Sequence, residues 1–164
     1  MAFATAWLDK RALFPEFINE LPDNKTGLIA VVPAFDEPGI SVLLDSLASC
    51  DEPECKTEII IVVNAPPAAS KESISNNNIC INKIKEWKKE NRNSFFRLYV
   101  LYLGQPSLKG WGVGLARKTG MDEALRRFNS IEKPDGIIIS LDADCTVDKN
   151  YFAAIYSELS KIKA

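Results

Sequence analysis

Short apolar runs alternate with amphipathic stretches along most of this chain. Short apolar runs predict four strands, at residues 27–33, 57–63, 96–103 and 136–141, of which the first and the last are expected to be buried. Apolar residues at helical spacing predict helices between the strands, which begin at Pro38, Ile79 and Val113, and one more after Asp148. Alternating strands and helices indicate an α/β fold, with a mostly parallel sheet and helices on both faces.

Local signals predict where the helices begin and how they pack. Pro38 fits the first position of a helix with Glu37 as its cap, and Asp148 fits the cap of the last helix. Residues 65–78, with two prolines and three consecutive asparagines, predict a long loop. One helix carries a row of small residues that would let it lie close to the sheet: Ala116, Gly120 and Ala124.

The first strand divides the chain into residues 1–26, a predicted helical extension, and residues 27–164, a predicted α/β core, which together are expected to form a single domain. Apolar residues in the extension recur at helix-like spacing and predict one or two helical turns with an apolar face: Phe3, Trp7, Phe14, Ile18 and Leu21. Packing of this face on the domain is the favoured prediction. Peripheral docking on a membrane is the alternative.

Composition limits the classes of function. The chain has 164 residues, of which 46% are apolar and 26% charged, as in a soluble single domain. A net charge of −2 predicts no nucleic-acid partner. The longest aliphatic run, residues 59–63, is too short to span a membrane. Charged residues at positions 9–11 interrupt the apolar core that a signal peptide needs, so a cytoplasmic location is expected.

The residue inventory also restricts the chemistry. The chain has no histidine, which excludes Ser-His and Cys-His nucleophiles and imidazole metal ligands. Its four cysteines show no zinc-binding spacing and are expected to be buried, reduced thiols. Any catalysis must therefore use carboxylates, lysine, arginine or backbone groups.

Two carboxylates, Asp142 and Asp144, directly follow the last predicted strand. Residues i and i+2 of a strand face the same side, so this pair can hold a hard divalent cation such as Mg²⁺ or Mn²⁺, which could in turn hold a diphosphate. The alternative is a polar turn. In parallel sheets ligands bind beyond the carboxyl ends of the strands, where residues 34–37, 64–67 and 105–114 are also predicted to lie.

A glycine-rich loop, which includes Lys109, precedes the helix that carries Arg117. Glycines and a helix N-terminus favour phosphate binding, whereas the alternative is a flexible loop with surface cations. The spacing does not fit a Rossmann fingerprint. Gly112, Lys118 and Thr119 fit a Walker A loop, although Arg117 replaces its second glycine, and a P-loop NTPase remains the alternative function.

Three segments together resemble family 2 glycosyltransferases of the GT-A fold. VVPAFDEPGISVLLDSL is similar to the opening of that family, GLARKTGMDEAL to its third-helix motif, and SLDADC to its DxD motif. Their order and intervals agree from Leu28 to Phe152. The resemblance implies a glycosyltransferase that transfers sugar from a nucleotide-diphospho-sugar donor to an acceptor hydroxyl, saccharide or lipid-linked, with a divalent metal.

The resemblance also implies site residues. Those implied to bind the nucleotide-sugar are Pro33, Ala34, Phe35, Glu37, Asn64, Lys109, Arg117, Asp142 and Ala143, and those implied to bind the metal are Asp142 and Asp144. Asn64 stands where the family usually has an aspartate that reads the base, and Lys118 where it commonly has asparagine.

The family's acceptor site and catalytic base lie beyond the DxD motif, where this chain has only one predicted helix. The chain is therefore expected to be a donor-binding half, truncated after the DxD motif and inactive or weakly active alone. A non-catalytic nucleotide-binding module is a further alternative. An unfinished sheet edge after the last strand could pair with another chain or a second copy.

Overall fold

The computed structural model describes residues 2–105 and 112–162. Its sheet has four strands, which are β1 Thr26–Ala34, β2 Lys56–Asn64, β3 Phe96–Gly104 and β4 Ile137–Ser140. All pairings are parallel, and the order across the sheet is β3-β2-β1-β4. The predicted α/β fold is confirmed. The chain runs outward from β1 to β3 and then returns to β4, so the direction of winding reverses between β1 and β4.

The described helices are α1 Thr5–Arg11, α2 Ser41–Ala48, α3 Lys71–Glu90, α4 Val113–Ser130 and α5 Tyr151–Leu159. Residues of α2, α3 and α5 share a core cluster with one face of the sheet, and those of α4 share a second cluster with the opposite face. Right-handed crossovers explain this division, because a connection that reverses direction must cross the other face. All nine residues of β1 are buried between the two layers.

Helix α4 lies close to the sheet, as the row of small residues predicts. Ala116 and Ala124 are completely buried. A Cβ atom on Gly120 would collide with the side chains of Val31 and Val62. Any larger residue at position 120 would therefore push the helix away from β1 and β2.

The prediction of a long loop at residues 65–78 is wrong. Helix α3 already begins at Lys71, and the Ser70 hydroxyl caps it by accepting a hydrogen bond from the Ser73 amide. The three asparagines lie within the helix, where Asn77 is completely buried. Asparagine has low helix propensity, but tertiary hydrogen bonds of Asn77 offset this preference.

Two predicted helix caps are also wrong. Helix α2 begins at Ser41 with Ile40 at the cap position, so Pro38 precedes the helix and Glu37 does not cap it. Helix α5 begins after Asn150 without a side-chain cap, and Asp148 contributes its carbonyl to the Tyr151 amide instead. The predicted inward stripe is confirmed for α2, whereas Leu159 at the end of α5 and Ile162 beyond that helix are exposed.

The N-terminal segment packs against α4, but of the apolar residues predicted from spacing only Ile18 is fully buried. Phe3, Trp7 and Leu21 are 46%, 47% and 71% exposed, whereas Ala4, Leu8 and Ile18 are buried. Polar side chains of α4 hold the backbone of this segment. The carboxylate of Glu123 accepts from the amides of Phe17 and Ile18, and Arg126 donates to the Phe14 carbonyl. These contacts do not depend on helical periodicity, so spacing could not predict them.

No helix in residues 2–105 and 112–162 is long and apolar enough to cross a membrane.

Candidate functional site

A cleft of about 310 Å³ opens beyond the carboxyl ends of the strands, where the winding of the sheet reverses. Its lining combines segments that follow β1, β2 and β4. Eight residues predicted as site residues line it: Pro33, Ala34, Phe35, Glu37, Asn64, Asp142, Ala143 and Asp144. Gly112 and Val113, at the start of α4, complete the lining. The topology thus brings together residues from distant parts of the chain.

Carboxylates dominate the electrostatics of the cleft. Asp142 and Asp144 are exposed, and Glu37 is half-buried. Burial raises the pKa of the Glu37 carboxyl, and the negative charges of Asp144 and Asp36 raise that pKa further. The carboxylates therefore repel one another, and a cation in the cleft would relieve this repulsion.

The side chains of the cleft supply only some of the ligands that a metal ion needs. In the described ranges, no group of three or more acidic or cysteine side chains could hold a metal ion by itself. Two exposed carboxylates suit Mg²⁺ or Mn²⁺, because such ions usually keep several waters and take further oxygens from substrate phosphates. The residues present therefore fit an ion that binds together with a phosphorylated ligand.

Arg117 lies beside the cleft and contacts the end of β4. Its Nε donates to the Ser140 hydroxyl at 2.8 Å, and its NH2 donates to Oδ1 of Asp142 at 3.0 Å. These two bonds fix the guanidinium and orient the Asp142 carboxylate, while the second oxygen of Asp142 is not engaged by Arg117. The predicted site residue Lys109 lies outside the described residues.

Asn64 ends β2 and is buried. Its side-chain amide donates to the carbonyl of Gly112 at 3.0 Å. Gly112 has a φ of 125°, a conformation that side chains rarely allow. Asn64 thus contributes to the cleft wall and also holds the backbone that leads into α4.

Asn77 is a site-forming residue that the sequence reasoning missed. Its Oδ1 accepts from the Asp36 amide at 2.9 Å, and its Nδ2 donates to the Asn64 carbonyl at 3.0 Å. One buried side chain of α3 therefore joins the loop after β1 to the end of β2. The assignment of the three asparagines to a loop hid this role.

The same loop contains a second unusual feature. Asp36 has a φ of 60°, a left-handed conformation that costs energy for a residue other than glycine. Its carboxylate accepts from Ser73 at 3.1 Å and from Asn76 at 2.6 Å. Helix α3 thus holds the Asp36 carboxylate through Ser73 and Asn76, and the Asp36 backbone amide through Asn77.

The Walker A candidates Lys118 and Thr119 form hydrogen bonds within α4. Lys118 donates to both carboxylate oxygens of Asp122, at 2.9 and 2.8 Å. Thr119 is buried, and its hydroxyl donates to the Leu115 carbonyl. Both residues lie in the second turn of α4, whereas a P-loop needs them where the helix begins. The arrangement therefore disfavours the NTPase hypothesis.

No protein-family model matches the chain, and no curated protein sequence matches it. Among solved structures, similar chains are those of S. aureus TarS. A structure of TarS 1-349 and one of TarS 1-349 in complex with UDP each match at 20% identity and a TM-score of 0.48, over 80% of this chain and 32% of that one. TarS 1-349 in complex with UDP-GlcNAc matches at 20% identity and a TM-score of 0.47, over 80% and 31%. This chain therefore spans about a third of the matched chains, and similarity at this level assigns no function.

Proposed function

We propose that the cleft binds the diphosphate of a nucleotide-sugar donor through a divalent cation, in a glycosyltransferase of family 2. The observation that carries the proposal is the meeting of Asp142 and Asp144 with the segment 33–37 at the point where the sheet reverses its winding. The motifs that resemble the family supply these same residues.

The chain's own groups divide the binding task. Asp142 and Asp144 would hold Mn²⁺ or Mg²⁺, and such a cation would neutralise charge on a departing diphosphate. Arg117 orients Asp142 through its bond to Oδ1. Pro33, Ala34 and Phe35 form the wall on which the base would lie, next to Asn64.

Calorimetry against a panel of nucleoside diphosphates and their sugar conjugates, with and without Mn²⁺, tests donor binding. We expect affinity for at least one of them to rise strongly when Mn²⁺ is present. Asp144→Ala should abolish that metal dependence, because it removes one of the two carboxylates proposed to bind the cation. The Asp144 side chain is exposed and makes no hydrogen bond within the described residues. Its thermal stability should stay close to that of the wild type.

Asp148→Ala is the matched control, since Asp148 is also an exposed carboxylate but does not line the cleft. It should leave metal-dependent binding unchanged. Binding without any metal effect, or equal losses in both variants, would contradict the proposal.

Sugar transfer is a separate measurement. A product assay with the nucleotide sugar and a panel of saccharide and lipid-linked acceptors compares the wild type with Asp144→Ala. We expect donor binding with slow or no transfer, because in the family a positioned base, worth about 10²–10⁴-fold, comes from beyond the DxD motif. Rapid glycoside formation that depends on Asp144 would show instead that the chain carries its own base.

A further inference from the structure

A second concave surface runs along the outer edge of β3, away from the nucleotide cleft. Among the described strands β3 pairs only with β2, so the other edge of this nine-residue strand has no strand neighbour. Two adjoining depressions of about 320 and 390 Å³ follow this edge. We call them together the β3 groove.

The groove has two walls on opposite faces of the sheet. Helix α3 forms one wall, and residues 17–20 of the N-terminal segment form the other. Residues of β3 line the space between them, including Leu98 and Tyr99. An extended chain that lay between these walls could pair its backbone with β3, since an edge strand presents unpaired amides and carbonyls.

The helix wall of the groove is basic. Lys85 and Lys88 lie one turn apart on α3, Arg92 follows just beyond the end of the helix, and all three line the groove. Within the described residues none of them forms an ion pair. The Lys88 ammonium lies 5.4 Å from the centre of the Tyr99 ring, so it reaches across the strand edge.

The opposite wall leaves this positive charge unbalanced. Glu20 is the acidic residue that lines the two depressions, and it is already paired with Arg97 at 3.0 Å. The chain as a whole has a net charge of −2, so the basic groove is a local feature and does not follow from overall charge. Local charge of one sign in a concave surface favours a partner of the opposite sign.

We propose that the β3 groove binds an acidic, extended peptide segment of a partner protein, which adds to the sheet as a fifth strand beside β3. The pairing uses main-chain hydrogen bonds, and carboxylates of the partner face Lys85, Lys88 and Arg92. A second copy of this chain fits less well, because two-fold pairing of β3 would place the same cations against each other. The proposal does not depend on nucleotide-sugar binding.

Selection of random peptides displayed on phage, about twelve residues long, tests the proposal on the full chain. Peptides that also bind the variant Lys85→Glu/Lys88→Glu are removed during selection. We expect the remaining peptides to be acidic, with apolar residues at alternate positions, because successive side chains of an added strand point to opposite faces.

One selected peptide is then synthesised and its affinity measured by fluorescence anisotropy. We expect binding to weaken about tenfold or more in Lys85→Glu/Lys88→Glu, and to weaken with added salt. The control Lys71→Glu/Lys89→Glu carries the same charge change on the same helix outside the groove, and should bind nearly as well as the wild type. Circular dichroism verifies that both variants are folded.

N-methylation of alternate peptide residues tests strand pairing, because it removes backbone donors without changing charge. We expect the affinity for the peptide to fall about tenfold or more.

Equal binding of the methylated peptide, recovery of only neutral or basic peptides, or recovery of none overturns the proposal. Displacement of the peptide by a single-stranded oligonucleotide that also depends on Lys85 and Lys88 would favour a nucleic-acid surface. Sedimentation showing self-association that Lys85→Glu/Lys88→Glu abolishes would favour a second copy.

Discussion

Helix α4 forms an arginine–carboxylate pair with the sheet region near each of its ends. Arg127, in the last turn, pairs with Glu58 of β2, and both side chains are at most 3% exposed. Arg117, in the second turn, pairs with Asp142 after β4, and these side chains are 36% and 69% exposed. The two pairs share their chemistry but lie at opposite ends of the strands.

The surroundings give the two pairs different roles. Arg127 donates to both oxygens of Glu58, and also to the Glu20 carbonyl and the Tyr99 hydroxyl, so its guanidinium is satisfied in a dry environment. The Arg117 pair lies where water and a ligand can reach Asp142. A buried pair whose partner is lost leaves a costly isolated charge, whereas an exposed pair contributes little to stability. We therefore expect the first pair to govern folding and the second to govern binding.

The largest expected effect is that of Arg127→Met. It leaves the Glu58 carboxylate buried without its partner, so the free energy of unfolding should fall by about 3–5 kcal/mol. Urea unfolding measures the change. Arg11→Met, at an exposed position of α1, is the control and should change stability by about 0.5 kcal/mol or less.

The double variant Glu58→Leu/Arg127→Met sharpens this test. Replacement of both charges by apolar groups removes the isolated charge, so most of the lost stability should return. A double variant as unstable as Arg127→Met alone would show that Arg127 stabilises the fold mainly through its bonds to the Glu20 carbonyl and the Tyr99 hydroxyl.

A smaller effect is expected for Asn77→Ala, which acts on the cleft from within the fold. It leaves the Asp36 amide and the Asn64 carbonyl without their Asn77 partner, which should cost about 1–3 kcal/mol of stability. Metal-dependent nucleotide affinity should fall as well, because the two strand ends are no longer joined. The exposed neighbour Asn78→Ala is the control, and calorimetry with urea unfolding distinguishes the two variants.

Arg117→Met should lower the affinity for the ligand while changing the stability of the fold only slightly. Because the pair is partly exposed, unfolding free energy should change by about 1 kcal/mol or less. Affinity for the nucleoside diphosphate with Mn²⁺ should fall about tenfold, the equivalent of roughly 1.4 kcal/mol, because Asp142 loses the group that orients it. A large loss of stability with unchanged affinity would reverse the roles assigned to the two pairs.

The smallest effect concerns the pH dependence of Glu37. Its pKa in the folded chain is raised above the ordinary value of 4.5, so the folded state binds more protons than the unfolded state just above that pH. Stability from this group is therefore complete below pH 4.5 and is lost as the pH rises through the raised pKa. The stability difference between Glu37→Gln and the wild type should therefore favour the variant more at pH 7 than at pH 4, by a small margin because solvent screens this half-buried group. A difference that does not vary with pH would contradict the repulsion inferred for the cleft.

The pattern of apolar runs was sufficient to predict the four strands, the parallel sheet and the edge at which polar residues gather. This works because strand and helix periodicities are local properties, and because parallel strands place their carboxyl ends together. The positions of Glu37, Asn64, Asp142 and Asp144 at the ends of predicted strands were therefore enough to place them at one cleft. The prediction for Lys109 lies outside the described residues.

Tertiary structure alone decided which polar residues hold these elements together. Glu58 and Arg127 are 69 positions apart in the chain, and Asn77 bonds to residues 41 and 13 positions away. No periodicity signals such pairs, and charged residues in a strand or helix are usually expected on the surface. Burial of a polar or charged side chain becomes favourable only when the folded chain brings complementary donors and acceptors into contact with it. That contact depends on how whole helices and strands pack together. The sequence by itself determined the sheet and the edge that bears the cleft, whereas packing determined which of its polar residues are structural and which remain available to a ligand.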